Sequence, residues 1–459
     1  MESKDKRLEF YFGKLGAVIP LISTFVGIML LVIFGYKSAK TFWAAGLFSL
    51  TLAFLLAKDK KKFNETVING LSNKLLAVMV IAFYLAGITA QLLNDGGLVT
   101  GLLWLTAQIN MGPQLIPALT FLVCVLISTC TGTTGGTVAA VTPIMLPLAV
   151  KMGCNPALLM GAILSGSFFG DNLAPVSDTT IASAYTQETD VPIVVKSRLK
   201  YSLIAGVIAL ILYIIFGNLM AGNAPAEIVL PEGANRSLIL LLCPAVLVFL
   251  MIRGADLVPA LLTCNLFTII LSLVTGLITF DQLIGPGGVI IKGIEGMVFL
   301  TVFCVFIFSL IEMLNAGGVF DWIIDKATKN IKSPRQAELM ASVLVSIITM
   351  MTAAATVSIV MTGPVVRKIF KRYNIARDRG ANILDGTACG IGGICFWNLS
   401  CMSAYALAMN TGAIDESFSI MAAMPYSFHC LLLVIVYLIA IITGYGRKFE
   451  KSQEIEIEV

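Results

Sequence analysis

The chain carries one long apolar run after another, beginning with Leu15 to Tyr36, in which no side chain is charged. A run of about 20 such residues, coiled as a helix, crosses the ~30 Å hydrocarbon core of a bilayer. Lipid offers the backbone no hydrogen bonds, so each run must satisfy its own peptide groups, and a helix does so. With hydrophobic residues at 58% and charged residues at 13% of 459, the chain reads as an all-α, polytopic integral membrane protein. The first run is too long for the core of a secretion signal and is expected to stay as an uncleaved span. The net charge of +4 does not point to nucleic acid, because the basic residues cluster in short segments between runs, where they act as topology signals. The ten cysteines are scattered through apolar segments without paired spacing, so neither disulfides nor zinc are expected.

In chain order, spans are expected near 15–36, 41–57, 75–93, 201–221, 237–252, 257–279 and 289–314, with a last one ending at Tyr445. Four stretches break this pattern: 114–150, 154–195, 337–366 and 380–412. They are related by a repeat. Leu92 to Val99 (LLNDGGLV) matches Met313 to Phe320 (MLNAGGVF) 221 residues later, and the same offset pairs Thr131 with Thr352 and Pro143 with Pro364. One residue less pairs Asp178 with Asn398. The expected organisation is therefore a peripheral segment 1–73, a first repeat 74–221, linking spans 222–288, a second repeat 289–445 and a tail 446–459.

The stretches 114–150 and 337–366 hold two helices each, too short to cross singly and too long to cross as one. Re-entrant hairpins resolve this, and they also concentrate lysine and arginine on the side of the N-terminus. About ten spans plus two hairpins result, with both termini cytoplasmic and the two halves inverted copies. Inverted repeats built on broken helices belong to secondary transporters, whose site lies where the breaks meet.

The breaks carry the chemistry. Gly170 to Thr180 (GDNLAPVSDTT) sets Asp171, Asn172, Ser177, Asp178 and Thr179 around a proline, and ionised groups within a span usually mark function. The first hairpin tip supplies Thr131, Thr133, Thr134 and Thr137; the second half supplies Thr356, Ser358, Asp385, Trp397 and Asn398. Carboxylates and hydroxyls together suit a small hard cation, with sodium expected at Asp171, Asp178 and Thr133 and with Asp171, Asp178 and Glu312 as proton carriers. None of the four breaks contains lysine or arginine, so the site is expected to be anionic. No cofactor is implied.

The segment SGSFFGDNLAPVSDTT, with the GTTGGT tip from Gly132 to Thr137, resembles the NhaC family of sodium/proton antiporters, whose patterns are close to FGDxxSPxSDTT and GTSWGT. The second half contributes Arg379 to Thr387 and Phe396 to Asn398, similar to the family's RNLEDSGT and PWN. The resemblance implies a multi-pass carrier in the cell membrane, not an enzyme, that exchanges sodium for protons. It assigns an ion-site role to Asp171, Ser177, Asp178 and Thr179, and a tip role to Thr133 and Thr137. It also leaves a coupled carrier of a small organic solute open, since the family's tryptophan is Gly135 here, its serine is Ala174 and its second proline is Phe396. A homodimer is the expected assembly from the superfamily. An intramembrane aspartyl protease fits poorly, because Phe168 stands where its first glycine belongs. A cation channel lacks the continuous polar span faces it needs.

Overall fold

The structure, a computed structural model, describes residues 7–36, 39–108, 112–175, 177–220, 222, 233–329 and 331–450. The ends of both expected tails, 1–6 and 451–459, and part of the link, 223–232, lie outside the described residues. In the first part of the chain run α1 (Gly13–Ile33), α2 (Phe42–Leu56), α3 (Lys60–Leu71), α4 (Lys74–Asp95) and α5 (Leu98–Gln108). Then come α6 (Ile116–Thr131), α7 (Thr134–Lys151), α8 (Pro156–Leu173), α9 (Asp178–Thr186) and α10 (Val191–Leu219). The middle is α11 (Leu242–Ile252), α12 (Leu257–Thr275), α13 (Phe280–Ile284), α14 (Val289–Ala316) and α15 (Val319–Thr328). The last group is α16 (Pro334–Thr352), α17 (Ala355–Arg372), α18 (Arg377–Ile394), α19 (Leu399–Asn410) and α20 (Phe428–Thr443). Among the described residues nine helices are long and apolar enough to cross a membrane, or up to eleven if each of two bent pairs counts as one span.

Both stretches expected to be hairpins are helix pairs with tight tips, but both arms of the first, Pro113–Thr131 and Thr134–Lys151, are long and apolar enough to cross a membrane, which corrects the expectation that each arm is too short. α6 ends on Gly132, left-handed at φ 68°, and α16 ends on Ala353, left-handed at φ 54°. Only Gly132 and Thr133 separate α6 from α7, so Thr134 to Thr137 form the first turn of α7 rather than an open loop. Element boundaries recur at the 221-residue offset: α7 with α17, α8 with α18, and the starts of α9 and α19. Ser177 and Asn398 are both N-caps, each accepting from the backbone N–H two residues on, so the structural register sets Asn398 opposite Ser177, one residue away from the Asp178 pairing.

The broken helices α8 and α18 form the interior. Every residue from Ala157 to Leu173 is buried, and so is every one from Arg379 to Gly393. Small residues allow this. Gly166 and Gly170 let α8 lie against the backbone of α6, where a Cβ on Gly170 would meet the Thr129 nitrogen at 2.4 Å. Gly386, Gly390 and Gly393 do the same for α18 against α20.

Three boundaries differ from the sequence reading. The break expected over 154–195 ends at Thr186, because Glu188 turns left-handed at φ 58° and Pro192 starts α10 at Val191. α10 thus begins ten residues before the expected span at 201. The basic segment Lys58 to Lys62, between the spans expected at 41–57 and 75–93, runs into α3, capped by Asp59 through the N–H groups of Lys61 and Lys62. At the end of the chain, the Ala376 N–H donates to the Lys448 carbonyl and the Glu450 N–H to the Asn374 carbonyl, strapping the segment after α20 across the α17–α18 turn.

Candidate functional site

α8 stops in the middle of the core. Ala174 is extended and Pro175 has no N–H to continue the helix, so the chain restarts only at Ser177, whose hydroxyl caps α9. Asp171 lies in the last turn of α8 and Asp178 is the first residue of α9, so one break presents two carboxylates. Asp171 is buried. Its Oδ2 accepts the Thr134 hydroxyl at 2.6 Å and its Oδ1 the Ser177 hydroxyl at 2.6 Å. Asp178 is exposed, and its Oδ2 accepts the Thr356 hydroxyl at 2.7 Å. Thr134 opens α7 and Thr356 is the second residue of α17, so the second arm of each hairpin presents its N-terminal turn to one carboxylate. That end of a helix carries partial positive charge.

Beside this pair lies a second, closed cluster. Arg198, two turns into α10 and fully buried, donates to Asp385 Oδ2 at 2.5 Å, to the Asn172 carbonyl at 2.5 Å and to the Thr180 hydroxyl at 3.0 Å. It also reaches Ser183 at 3.2 Å and Asn382 Oδ1 at 3.2 Å. Asp385 further accepts from Asn172 Nδ2 at 2.9 Å and Cys389 Sγ at 3.1 Å. One guanidinium therefore joins α8, α9, α10 and α18. Among the described residues, Asp171 and Asp178 form no ion pair.

The Na+/H+ antiporter family model matches residues 11–218 and 232–445, nearly the whole chain. The chain belongs to the Na+/H+ antiporter family. It is 25% identical to the malate-2H(+)/Na(+)-lactate antiporter of Bacillus subtilis, over 87% of each chain. It is 23% identical to the Na(+)/H(+) antiporter NhaC of Alkalihalophilus pseudofirmus, covering 84% of this chain and 86% of that one. It is 24% identical to the arginine/ornithine antiporter ArcD of Halobacterium salinarum, over 85% of this chain and 84% of the relative. The molecule is a multi-pass membrane antiporter of this family.

Within this antiporter the structure sorts the residues expected at the site. Asp171, Asp178, Ser177, Thr134 and Thr356 come together, and Thr179 touches them through Ser177 at 2.9 Å. Asn172 and Asp385 are committed to Arg198. This corrects the expectation of an anionic region without cationic side chains: the breaks themselves have none, but the neighbouring span inserts one. Thr133, expected on sodium, instead accepts the Gly136 N–H as the cap of α7, and Thr137 donates to the Thr133 carbonyl. Among the described residues, the buried Thr131 hydroxyl has no hydrogen-bond partner. Ser358 bonds Thr349 within its own hairpin, and Asn398 caps α19. Trp397 turns away: its ring stacks on Phe25 of α1 at 4.0 Å and its Nε1 donates to the Met350 carbonyl. Glu312 bonds Asn315 on α14, a helix packed chiefly on α4, α3, α19 and α2 rather than on the broken helix that carries Asp171.

Arg198 is the buried charged residue beside the site that sequence reading missed. Basic side chains at 196, 198 and 200 look like one loop cluster when the span begins at 201. The missed signal is Asp190 followed by Pro192, an N-terminal helix pattern that places residue 198 inside the span.

Proposed function

We propose that the protein exchanges sodium for protons, with Asp178 as first ligand and proton acceptor and Asp171 as second. The observation that carries this reading is the shared construction of the two carboxylates: each is held by a threonine hydroxyl from the first turn of the second arm of a different hairpin, without a cationic side chain among the described residues. Carboxylate and hydroxyl oxygens form a hard ligand set that takes either a small cation or a proton. Competition for the same oxygens supplies the coupling, since binding one displaces the other. In this reading the two 221-residue-related halves are inverted repeats, the hairpins enter from opposite faces, both termini are cytoplasmic, and the hairpin tips release the carboxylates alternately to either side.

A second reading, coupled movement of a small organic solute, is favoured by Gly135. A Cβ there meets nothing closer than the Thr133 hydroxyl at 4.0 Å, so the tip has room where the family pattern carries tryptophan. Two of the relatives are named for organic substrates. Proteoliposomes with an internal pH dye separate the readings. A pH change on addition of sodium alone supports ion exchange; a response only when an amino acid, amine or carboxylate accompanies sodium supports the coupled carrier; silence to every combination overturns both.

A further inference from the structure

We infer that Arg198 is a resident counter-cation: it occupies Asp385 permanently, removes that carboxylate from exchange, and sets how strongly Asp171 and Asp178 hold their cargo. The inference rests on the exchange reading above. A buried carboxylate within reach of Asp171 and Asp178 would otherwise bind sodium or protons itself. At Asp385 that place is taken. Arg198, Asn172, Ser183 and Cys389 fill both oxygens, and the pair is wholly buried. The guanidinium is also positioned from several sides, because it closes on the Asn172 carbonyl freed at the end of α8 and on α9 just beyond Asp178.

The geometry makes Arg198 a positioning residue with an electrostatic output. The charged and titratable groups facing it are Asp385 and Cys389 on α18 and Tyr437 on α20, and Asp385 in turn acts electrostatically on Asp171 of α8 and Asp178 of α9. Three carboxylates and one guanidinium leave two negative charges, those of Asp171 and Asp178. Removing either partner of the pair shifts the field at these two in opposite senses. Without Arg198 they sit in a more negative field and hold protons and sodium more tightly. Without the Asp385 charge they face an unopposed guanidinium and hold both less tightly.

The test measures sodium-driven proton flux in proteoliposomes against pH and sodium for Arg198→Gln, Asp385→Asn, the double variant and Arg198→Lys. Arg198→Gln should move the midpoint of the pH profile toward alkaline pH. Asp385→Asn should move it toward acid and raise the apparent KM for sodium. Each shift should be about one pH unit, the order of magnitude that a nearby unit charge produces in a protein interior. The double variant and Arg198→Lys should lie near the unaltered protein. Breaking one side of a buried ion pair is destabilising, so monodispersity in detergent is followed in parallel. If either single variant fails to fold, Arg198→Lys and the double variant carry the decision. Midpoints of the two single variants moving in the same direction, or a double variant or Arg198→Lys no closer to the unaltered protein than Asp385→Asn, overturn the inference. Absence of flux in the unaltered protein under every ion gradient overturns the exchange reading instead.

Discussion

At the scale of single residues, the site depends on which oxygens remain free. Asp178→Asn keeps shape and loses charge, so exchange should vanish while the protein still elutes as a monodisperse species; retained flux would remove Asp178 from the mechanism. Thr356→Val deletes the hydroxyl held by Asp178 without changing side-chain volume much. Hydrogen bonds to charged groups contribute about 1.5–3 kcal/mol, so the apparent sodium affinity should fall about tenfold, with maximal flux less affected. Much of this site was legible from sequence, because Asp171, Ser177 and Asp178 are neighbours along the chain and a proline break within a span admits few arrangements. Thr134 and Thr356 were legible as types, through hydroxyls at hairpin tips. Which threonine on the tip meets a carboxylate was not, since helical phase decides it: α7 starts one residue after Thr133, which turns Thr133 into a cap and Thr134 into the partner of Asp171.

At the scale of elements, the broken helices and the helix pairs beside them could be located because the repeat constrains them, whereas length against bilayer thickness misjudged the arms of the first pair, each of which is long enough to cross. The entry of α10 could not be located, because a charged side chain such as Arg198 is acceptable inside a span only when a partner 187 residues away compensates it. Two predictions belong here. Gly170 lies against the α6 backbone, so Gly170→Val should overpack the α6–α8 contact and lower stability by about 2 kcal/mol or more, read as a drop in unfolding temperature in detergent. Ala353 ends α16 in a left-handed conformation, which disfavours an L side chain by about 1–2 kcal/mol. Ala353→Gly should therefore raise the unfolding temperature slightly, the gain being reduced by the greater backbone entropy of glycine.

At the scale of the whole molecule, exchange requires that the ions compete. Protons neutralise Asp171 and Asp178 at acid pH, so the apparent KM for sodium should fall as pH rises, by up to about tenfold per pH unit for each competing proton. A KM independent of pH would mean that sodium and protons use different groups. Gly135→Trp addresses the cargo: filling the open tip should depress uptake of an organic solute more than sodium/proton flux, and equal loss of both would leave the open tip without a part in selection. The unequal exposure of the two carboxylates has a further consequence. Asp178 is exposed and Asp171 is buried, so on the exchange reading the two posts differ in access and an ion held at Asp171 should leave more slowly than one held at Asp178. A chase with unlabelled sodium should then release pre-bound labelled sodium in two phases, and Asp178→Asn should remove the fast one.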